Sequence, residues 1–369
     1  MNRSSQPIES QVDFEMRILI LSSDERIADY SEFAKALSCF GAESLCASSS
    51  KYCFLSKTGP LHVIPTPRFL KLVKSFNPDF LLTDQPFYVP QLAKLVGRRS
   101  LFHLRGNPWS EFYVDAAMYP SFFDRMYTQY LAAIKDRSIK ATHLVLPNSR
   151  WLEKQVKEHL QDCPTRVLYV GIDPRKWSPS GNLKGSLKFN VKRPALVGVF
   201  QFNQYEKISG LMKFIRVVRQ MKDVNFYFAG TGPYLELVKQ ECPSNMFLVG
   251  KLSGIQIREF LEMGDVFVHP SGLDALPRCV KEAALMEKPI VASNEGGIPE
   301  IVLDEQTGYL CNIDDTDQWV KRIRFLLDNP GVAEEFGKNA RKFVEETFDW
   351  KGIASRLLGI IRDYGEKSD

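Results

Sequence analysis

Asp274 and Glu282 stand eight residues apart, with Pro277 between them, in the stretch HPSGLDALPRCVKEAALMEKPIVASNEGGIPEIVLDEQTGYL that runs from His269 to Leu310. DVFVHP reads as a strand entering a loop, and Pro277 suits the first turn of the helix that follows, where a missing N–H leaves nothing unpaired. The unpaired amides of that helix start, together with its positive end, form a site for an anion such as a diphosphate. Glu282 lies more than a turn further in, where a carboxylate can accept two hydrogen bonds from a ribose diol. Asp274, ahead of the helix, can accept from the hydroxyls of a sugar. Lys207 opens another predicted helix, and Arg278 falls in the first turn of the Glu282 helix. A cation at either place opposes the helix dipole unless an anion is bound.

The elements that must position these groups alternate along the chain. In the first half, MRILIL (Met16 to Leu21), DFLLTD, SLFHLRG and ATHLVLPN are short apolar runs, and YSEFAKALSCFGAE, VPQLAKLVG and RWLEKQVKEHL carry helical periodicity, with Gly41 as a stop. Apolar periodicity lapses in SPSGNLKGSLKFNVKRP and resumes with ALVGVFQF, NFYFAG, MFLVG, DVFVHPS and PIVASN, again separated by helices. Continuous apolar strands between helices predict parallel sheets covered on both faces. The 369 residues exceed what one core usually supports. The reading is an α/β chain of two Rossmann-like, doubly wound domains: a lead-in over 1–15, a first domain over 16–178, a linker over 179–193, a second domain over 194–347 and a final helix over 348–369. Such domains face one another across a cleft, and ligands bind outside the carboxyl ends of the strands.

Composition narrows the function classes. With 44% hydrophobic and 25% charged residues and a net charge of +4, the chain is globular and mildly basic, without the dense Lys/Arg patches of a nucleic-acid binder. Its longest apolar runs, such as PIVAS, fall far short of the roughly 20 residues that cross a bilayer. The polar start MNRSSQPIESQVDFE lacks the apolar middle of a signal peptide, and seven cysteines without a C-x-x-C pair suit a reducing compartment, so a cytoplasmic location is expected. Cys39, Cys46 and Cys53 recur every seven residues with no histidine at ligand spacing, and no metal site is expected. An aromatic stretch from Trp109 to Tyr127, followed by Lys135, Arg137 and Lys140, marks a candidate peripheral contact with the inner face of a membrane.

The segment around Asp274 resembles the retaining glycosyltransferases of family 4. Their pattern has an acidic residue, seven others and a glutamate in E-A after a strand ending in P-S, then G-x-P-x-V-A-x-x-x-G-G-x-x-E and T-G. AGTGP (Ala229 to Pro233), VGKLS (Val249 to Ser253), VLPNSRWL and VGIDPRKW resemble further family features, and FDWKGIASRLLGIIRDY resembles the helix by which GT-B proteins cross back onto their first domain. The resemblance implies the GT-B fold, a donor that is a UDP- or GDP-sugar with no other cofactor, and a glycan or lipid-linked acceptor. It implies that Glu282 binds the nucleotide ribose, Asp274 the transferred sugar and Lys207 the diphosphate, with Asp274, Lys207 and Arg105 as the catalytic set. Ala275, Leu276, Pro277, Arg278, Gly230, Gly232, Lys251, Leu252 and Gly297 are the expected remainder of the donor site, and Asp84, His103, Arg105 and Trp109 the acceptor-side candidates. The chain departs from the pattern in three places. Gln201 and Phe202 stand where an arginine is usual, SSDERIADYSE replaces a glycine loop, and Arg105 takes the strand end usually held by histidine.

Several of these residues have plainer readings. Lys207 can pair with Glu206, and Arg278 with Glu282 one turn on. Asp315 and Asp317, which mimic a metal-binding D-x-D, open a helix where Asp is a preferred cap. His103 in mid-strand reads more simply as a core histidine, and most of the aromatic stretch as packing. A glycoside hydrolase would also need two carboxyl groups, but the surrounding nucleotide-site pattern favours a transferase. The missing arginine and glycine loop motivate one rival, a catalytically silent GT-B protein that binds a nucleotide sugar or stabilises a partner transferase.

Overall fold

In the computed structural model the described residues are 16–48, 53–54, 64–84, 93–110, 121–179, 187, 189 and 191–365. Much of the expected linker, the membrane-contact candidates between 111 and 120, and the lead-in lie outside them.

The first sheet is built from β1 (Arg17–Ser22), β2 (Glu43–Ser48), β5 (Phe80–Thr83), β6 (Arg99–Leu104) and β7 (Leu144–Pro147). Its order is β2-β1-β5-β6-β7 with every pairing parallel. A two-residue strand pair, β3 (Cys53–Phe54) and β4 (Ile64–Pro65), stands apart. The runs ILIL of β1, FLL of β5 and LVLP of β7 are unbroken and apolar because helices cover both faces and leave no solvent side on which to place polar residues. The covering helices are α1 (Ile27–Ser38), α2 (Pro67–Phe76), α3 (Phe122–Lys140) and α4 (Arg150–His159). α1 begins before the expected Tyr30, after a turn in which the Arg26 amide reaches Ser23 O at 3.1 Å. The glycine-free loop is therefore one turn of backbone followed at once by helix, which puts Asp29 in the first helical turn.

The second sheet comprises β8 (Ala195–Val199), β9 (Asn225–Ala229), β10 (Met246–Gly250), β11 (Val266–His269), β12 (Ile290–Ser293) and β13 (Gly308–Cys311), in the order β10-β9-β8-β11-β12-β13, again parallel. Its helices are α5 (Tyr205–Gln220), α6 (Leu235–Glu241), α7 (Gly254–Met263), α8 (Arg278–Leu285), α9 (Thr316–Asp328) and α10 (Pro330–Thr347). Asp315 accepts from the Gln318 amide at 2.9 Å, so the D-x-D caps α9. In both sheets the strand order reverses once, between β1 and β5 and between β8 and β11, with the strands still parallel. Open α/β sheets bind ligands at such reversals, because the loops leaving the two strands diverge and leave a crevice.

Two backbone passages join the halves. Val170 to Ile172 runs beside Phe348, with the Ile172 amide bonded to Phe348 O at 3.0 Å. The last helix, α11 (Trp350–Gly365), then lies on the first domain, where Trp350, Ile353, Leu357 and Ile361 pack with Tyr30, Phe33 and Leu37 of α1. Glu300 of the second half accepts from the Arg150 and Trp151 amides at 2.9 and 3.0 Å and from Tyr169 Oη at 3.0 Å. One carboxylate thus caps a helix of the opposite domain. Among the described residues no helix is long and apolar enough to cross a membrane.

Candidate functional site

The two reversals face each other across a cavity of about 530 Å³. From the second domain its wall is formed by the loop after β8 (Phe200 to Gln204), Lys207 in the first turn of α5, His269 and Asp274 after β11, and the start of α8. From the first domain come Arg26, Arg105 and Asn148.

Asp274 is the centre of the charged groups. Lys207 Nζ lies 3.6 Å from its Oδ1 and His269 Nε2 3.5 Å from its Oδ2. Burial alone would push the Asp274 carboxyl up, but the Lys207 ammonium and His269 outweigh it and hold it below the usual carboxylate range. The loops themselves fix this arrangement. The Gly272 amide bonds Lys207 O at 3.2 Å, tying the start of α5 to the loop that carries Asp274. Gly296 has φ +60°, the Gly297 amide donates to Asp274 O at 2.8 Å, and a Cβ on Gly297 would sit 1.8 Å from Ala275 O. The two glycines therefore let β12's loop press on the backbone of Asp274 and Ala275, which positions the carboxylate from behind.

Pro277 is the N-cap of α8, one place earlier than expected, and makes no side-chain cap bond. Arg278 Nε donates to Glu282 Oε1 at 2.8 Å and Arg278 Nη1 to Asp29 Oδ1 at 2.9 Å, while Arg105 Nη2 reaches Asp29 Oδ2 at 3.1 Å. Burial pushes Glu282 up, and Arg278 offsets this only in part. The i to i+4 pair expected for Arg278 forms, and the guanidinium also crosses the cleft. Lys281, 1% exposed, donates to Val170 O at 2.7 Å and lies over the Phe348 ring at 4.9 Å, against both passages between domains. Burial first, then Arg105 and Arg278, lower its pKa to about 7.

Asp274, Leu276, Pro277, Arg278, Glu282, Lys207 and Arg105 all line the cavity, and Ala275 lines a small recess beside it with Arg105 and Lys207. Gly230, Gly232, Lys251, Leu252 and Gly297 do not line it. Gly230 instead makes room for a neighbouring loop, since its Cβ would stand 1.8 Å from Phe200 O. Three acceptor-side candidates are likewise held in the first domain's interior. His103 bonds Tyr30 Oη and Leu168 O at 2.9 Å each, and burial followed by Arg105 lowers its pKa to about 3, so it stays neutral. Asp84 accepts from Ser22 at 3.2 Å and Arg26 at 3.4 Å. Trp109 stacks on His159 at 4.3 Å and donates to Asp136 at 3.0 Å. Sequence reasoning missed Asp29, Asn148, His269 and Lys281. Only His269, closing a strand directly before P-S, carried a local signal.

With this geometry in place, comparison with known proteins is direct. Residues 180–343 match the family model of the glycosyl transferases group 1. The match covers the second domain and less than half the chain. Among curated proteins the chain is similar to the sulfoquinovosyl transferase SQD2 of Arabidopsis thaliana, 34% identical over 52% of this chain and 38% of that protein. It is also similar to an alpha-maltose-1-phosphate synthase of Mycolicibacterium smegmatis, 30% identical over 54% of this chain and 57% of that one. The chain spans about half the length of the curated relatives it matches. Among solved structures, a sucrose-phosphate synthase from Thermosynechococcus elongatus superposes with a TM-score of 0.70 at 16% identity, covering 96% of this chain and 100% of that chain. Anabaena HepE, solved with UDP and glucose, gives 0.67 at 16% identity over 94% and 100%. The two parallel-sheet Rossmann-like domains are those of GT-B structures.

Proposed function

We propose that the protein is a retaining glycosyltransferase that moves a hexose from a UDP- or GDP-sugar to a glycan or glycolipid acceptor without a metal ion. The observation that carries this reading is the convergence of Lys207, Asp274, Glu282 and the start of α8 on one cavity at the β8/β11 reversal. The group 1 match over the second domain and the sugar-transferring relatives support it, as do the UDP and UDP-glucose complexes of HepE.

On this reading the second domain, over 194–347, holds the donor and the first, over 16–178, the acceptor. The diphosphate lies against Lys207 and the α8 amides, Glu282 accepts from the ribose diol, and Asp274 accepts from the sugar hydroxyls. The developing charge on the departing diphosphate is met by fixed donors, while the acceptor enters on the same face of the sugar and retention follows. Phe202, fully buried at the place where an arginine is usual, supplies no charge. Arg278, at the diphosphate end of α8, supplies the second cation. The exposed Phe122, Phe123 and Met126 at the start of α3 support a peripheral membrane contact on the cytoplasmic side.

The test is release of nucleoside diphosphate from a panel of UDP- and GDP-sugars, without acceptor and in excess EDTA. At least one donor should be hydrolysed slowly by the parent protein and not by Asp274→Asn or Lys207→Met. Binding without hydrolysis of any donor, with or without added acceptor glycans, would support the silent binding protein instead.

A further inference from the structure

The first-domain wall of the cleft carries two guanidiniums, Arg26 and Arg105, each beside one carboxylate, Asp84 and Asp29. Lys281 and Arg278 of α8 meet this wall from the second domain. Asp29 is shared between Arg105 and Arg278, and Asp84 between Arg26 and Ser22. Two polar atoms on this wall are also left open. Arg105 Nη1 is buried without a hydrogen-bond partner among the described residues, although the guanidinium lies 5.7 Å from the centre of the Tyr30 ring. Asn148, 3% exposed and lining the cavity, donates through Nδ2 to Arg105 O at 3.0 Å, while its Oδ1 has no partner. An unpaired buried donor and an unpaired buried acceptor on one wall each cost stability, and together they match a ligand with an anion and an adjacent hydroxyl.

We propose that this wall is an anion subsite, at which the acceptor or the transferred sugar presents a phosphate or carboxylate to Arg105 and Arg26 and a hydroxyl to Asn148 Oδ1. The subsite rests on the transferase reading for its place in the reaction, but its existence is independent of it. It is separate from the diphosphate position, which Lys207 and the α8 amides define on the facing wall.

The experiment is calorimetric titration of the protein saturated with UDP or GDP, using inorganic phosphate, glucose 6-phosphate and glucose as probes. Phosphate and glucose 6-phosphate should bind and glucose should not. Arg105→Gln should weaken both anions about tenfold or more, Arg105→Lys should restore part of the loss, and Asn148→Ala should weaken glucose 6-phosphate while sparing phosphate. A second arm compares UDP-glucuronate with UDP-glucose. Tighter binding of the glucuronate that Arg105→Gln removes would assign the anion to the transferred sugar, and equal binding would leave it with the acceptor. The proposal is overturned if neither arm shows anion binding, or if phosphate binding disappears on saturation with nucleotide, which would make Arg105 a second ligand of the donor diphosphate. Unchanged anion affinity in a folded Arg105→Gln, with Arg26→Gln unchanged as well, would also overturn it. If UDP and GDP do not bind but Arg105-dependent phosphate binding is seen, the subsite stands and the transferase reading falls.

Discussion

Replacing Arg278 with alanine removes a side chain that bonds both Glu282 and Asp29, at 2.8 and 2.9 Å. Two opposite charges about 4 Å apart interact by about 4 kcal/mol at an effective dielectric near 20. Arg278 is 53% exposed, so water screens most of this, and about 0.2 to 1 kcal/mol remains between Arg278 and Glu282. Losing that attraction shifts the Glu282 pKa. The direction is upward, because burial already raises this carboxyl and Arg278 is the leading cause that lowers it. Only the ionised form accepts both ribose hydroxyls, so nucleotide affinity falls as pH drops through the Glu282 pKa. In Arg278→Ala that fall should occur at higher pH than in the parent. If Arg278 is also the second cation for the diphosphate, turnover at neutral pH should drop on the order of 10 to 1,000-fold. The assay is calorimetric nucleotide affinity from about pH 4.5 to 8, with donor turnover measured alongside. Superimposable pH profiles and turnover within about twofold of the parent would refute the reasoning.

Three further variants probe other parts of the account. Lys207→Met should cut turnover about 100 to 1,000-fold, and it should move the loss of stability on acidification to higher pH. Asp274's carboxyl is held low chiefly by Lys207 against its burial, so its contribution is present above the unfolded pKa and fades as pH falls through the folded one. Denaturant titrations at several pH values check this. Lys281, lowered to about 7 from 10.5, binds a proton less readily folded than unfolded, so the parent should gain stability relative to Lys281→Met as pH rises from about 7 to 10. A constant difference across that window would contradict the buried-ammonium reading. Glu300→Ala removes two amide caps and the Tyr169 bond between domains, and should cost about 1 to 3 kcal/mol in thermal or denaturant unfolding while leaving nucleotide affinity unchanged.

The architecture was legible because strands buried on both faces read as unbroken apolar runs, and ILIL, FLLT and LVLP each became a strand of the first sheet. Details governed by tertiary neighbours were not. The glycine-free loop gave no local sign that Asp29 would meet Arg278, 249 residues later, and no local pattern shows that Lys281 would be buried against Val170 and Phe348. Gly297 is expected in the donor site, yet it and Gly296 admit the backbone of Ala275 and Asp274 instead. Asp274 and Glu282 were readable from their spacing around Pro277, and Lys207 joined them only through the family resemblance; helix starts and strand ends place such residues at a sheet reversal whatever the rest of the chain does. Side-chain pairing across the cleft depends on how two domains meet, which no local pattern encodes.

The central claim is that a nucleoside diphosphate sugar is held with its ribose on Glu282 and its diphosphate beside Lys207. It is tested most directly by calorimetric titration of UDP and GDP into the parent protein and into Glu282→Ala. The parent should bind one nucleotide, and the variant, folded to the same degree by circular dichroism, should bind it about 10 to 150-fold more weakly, the equivalent of about 1.5 to 3 kcal/mol for hydrogen bonds to a charged group. Equal affinity in the two proteins, or no binding of either nucleotide to the parent, would contradict the account.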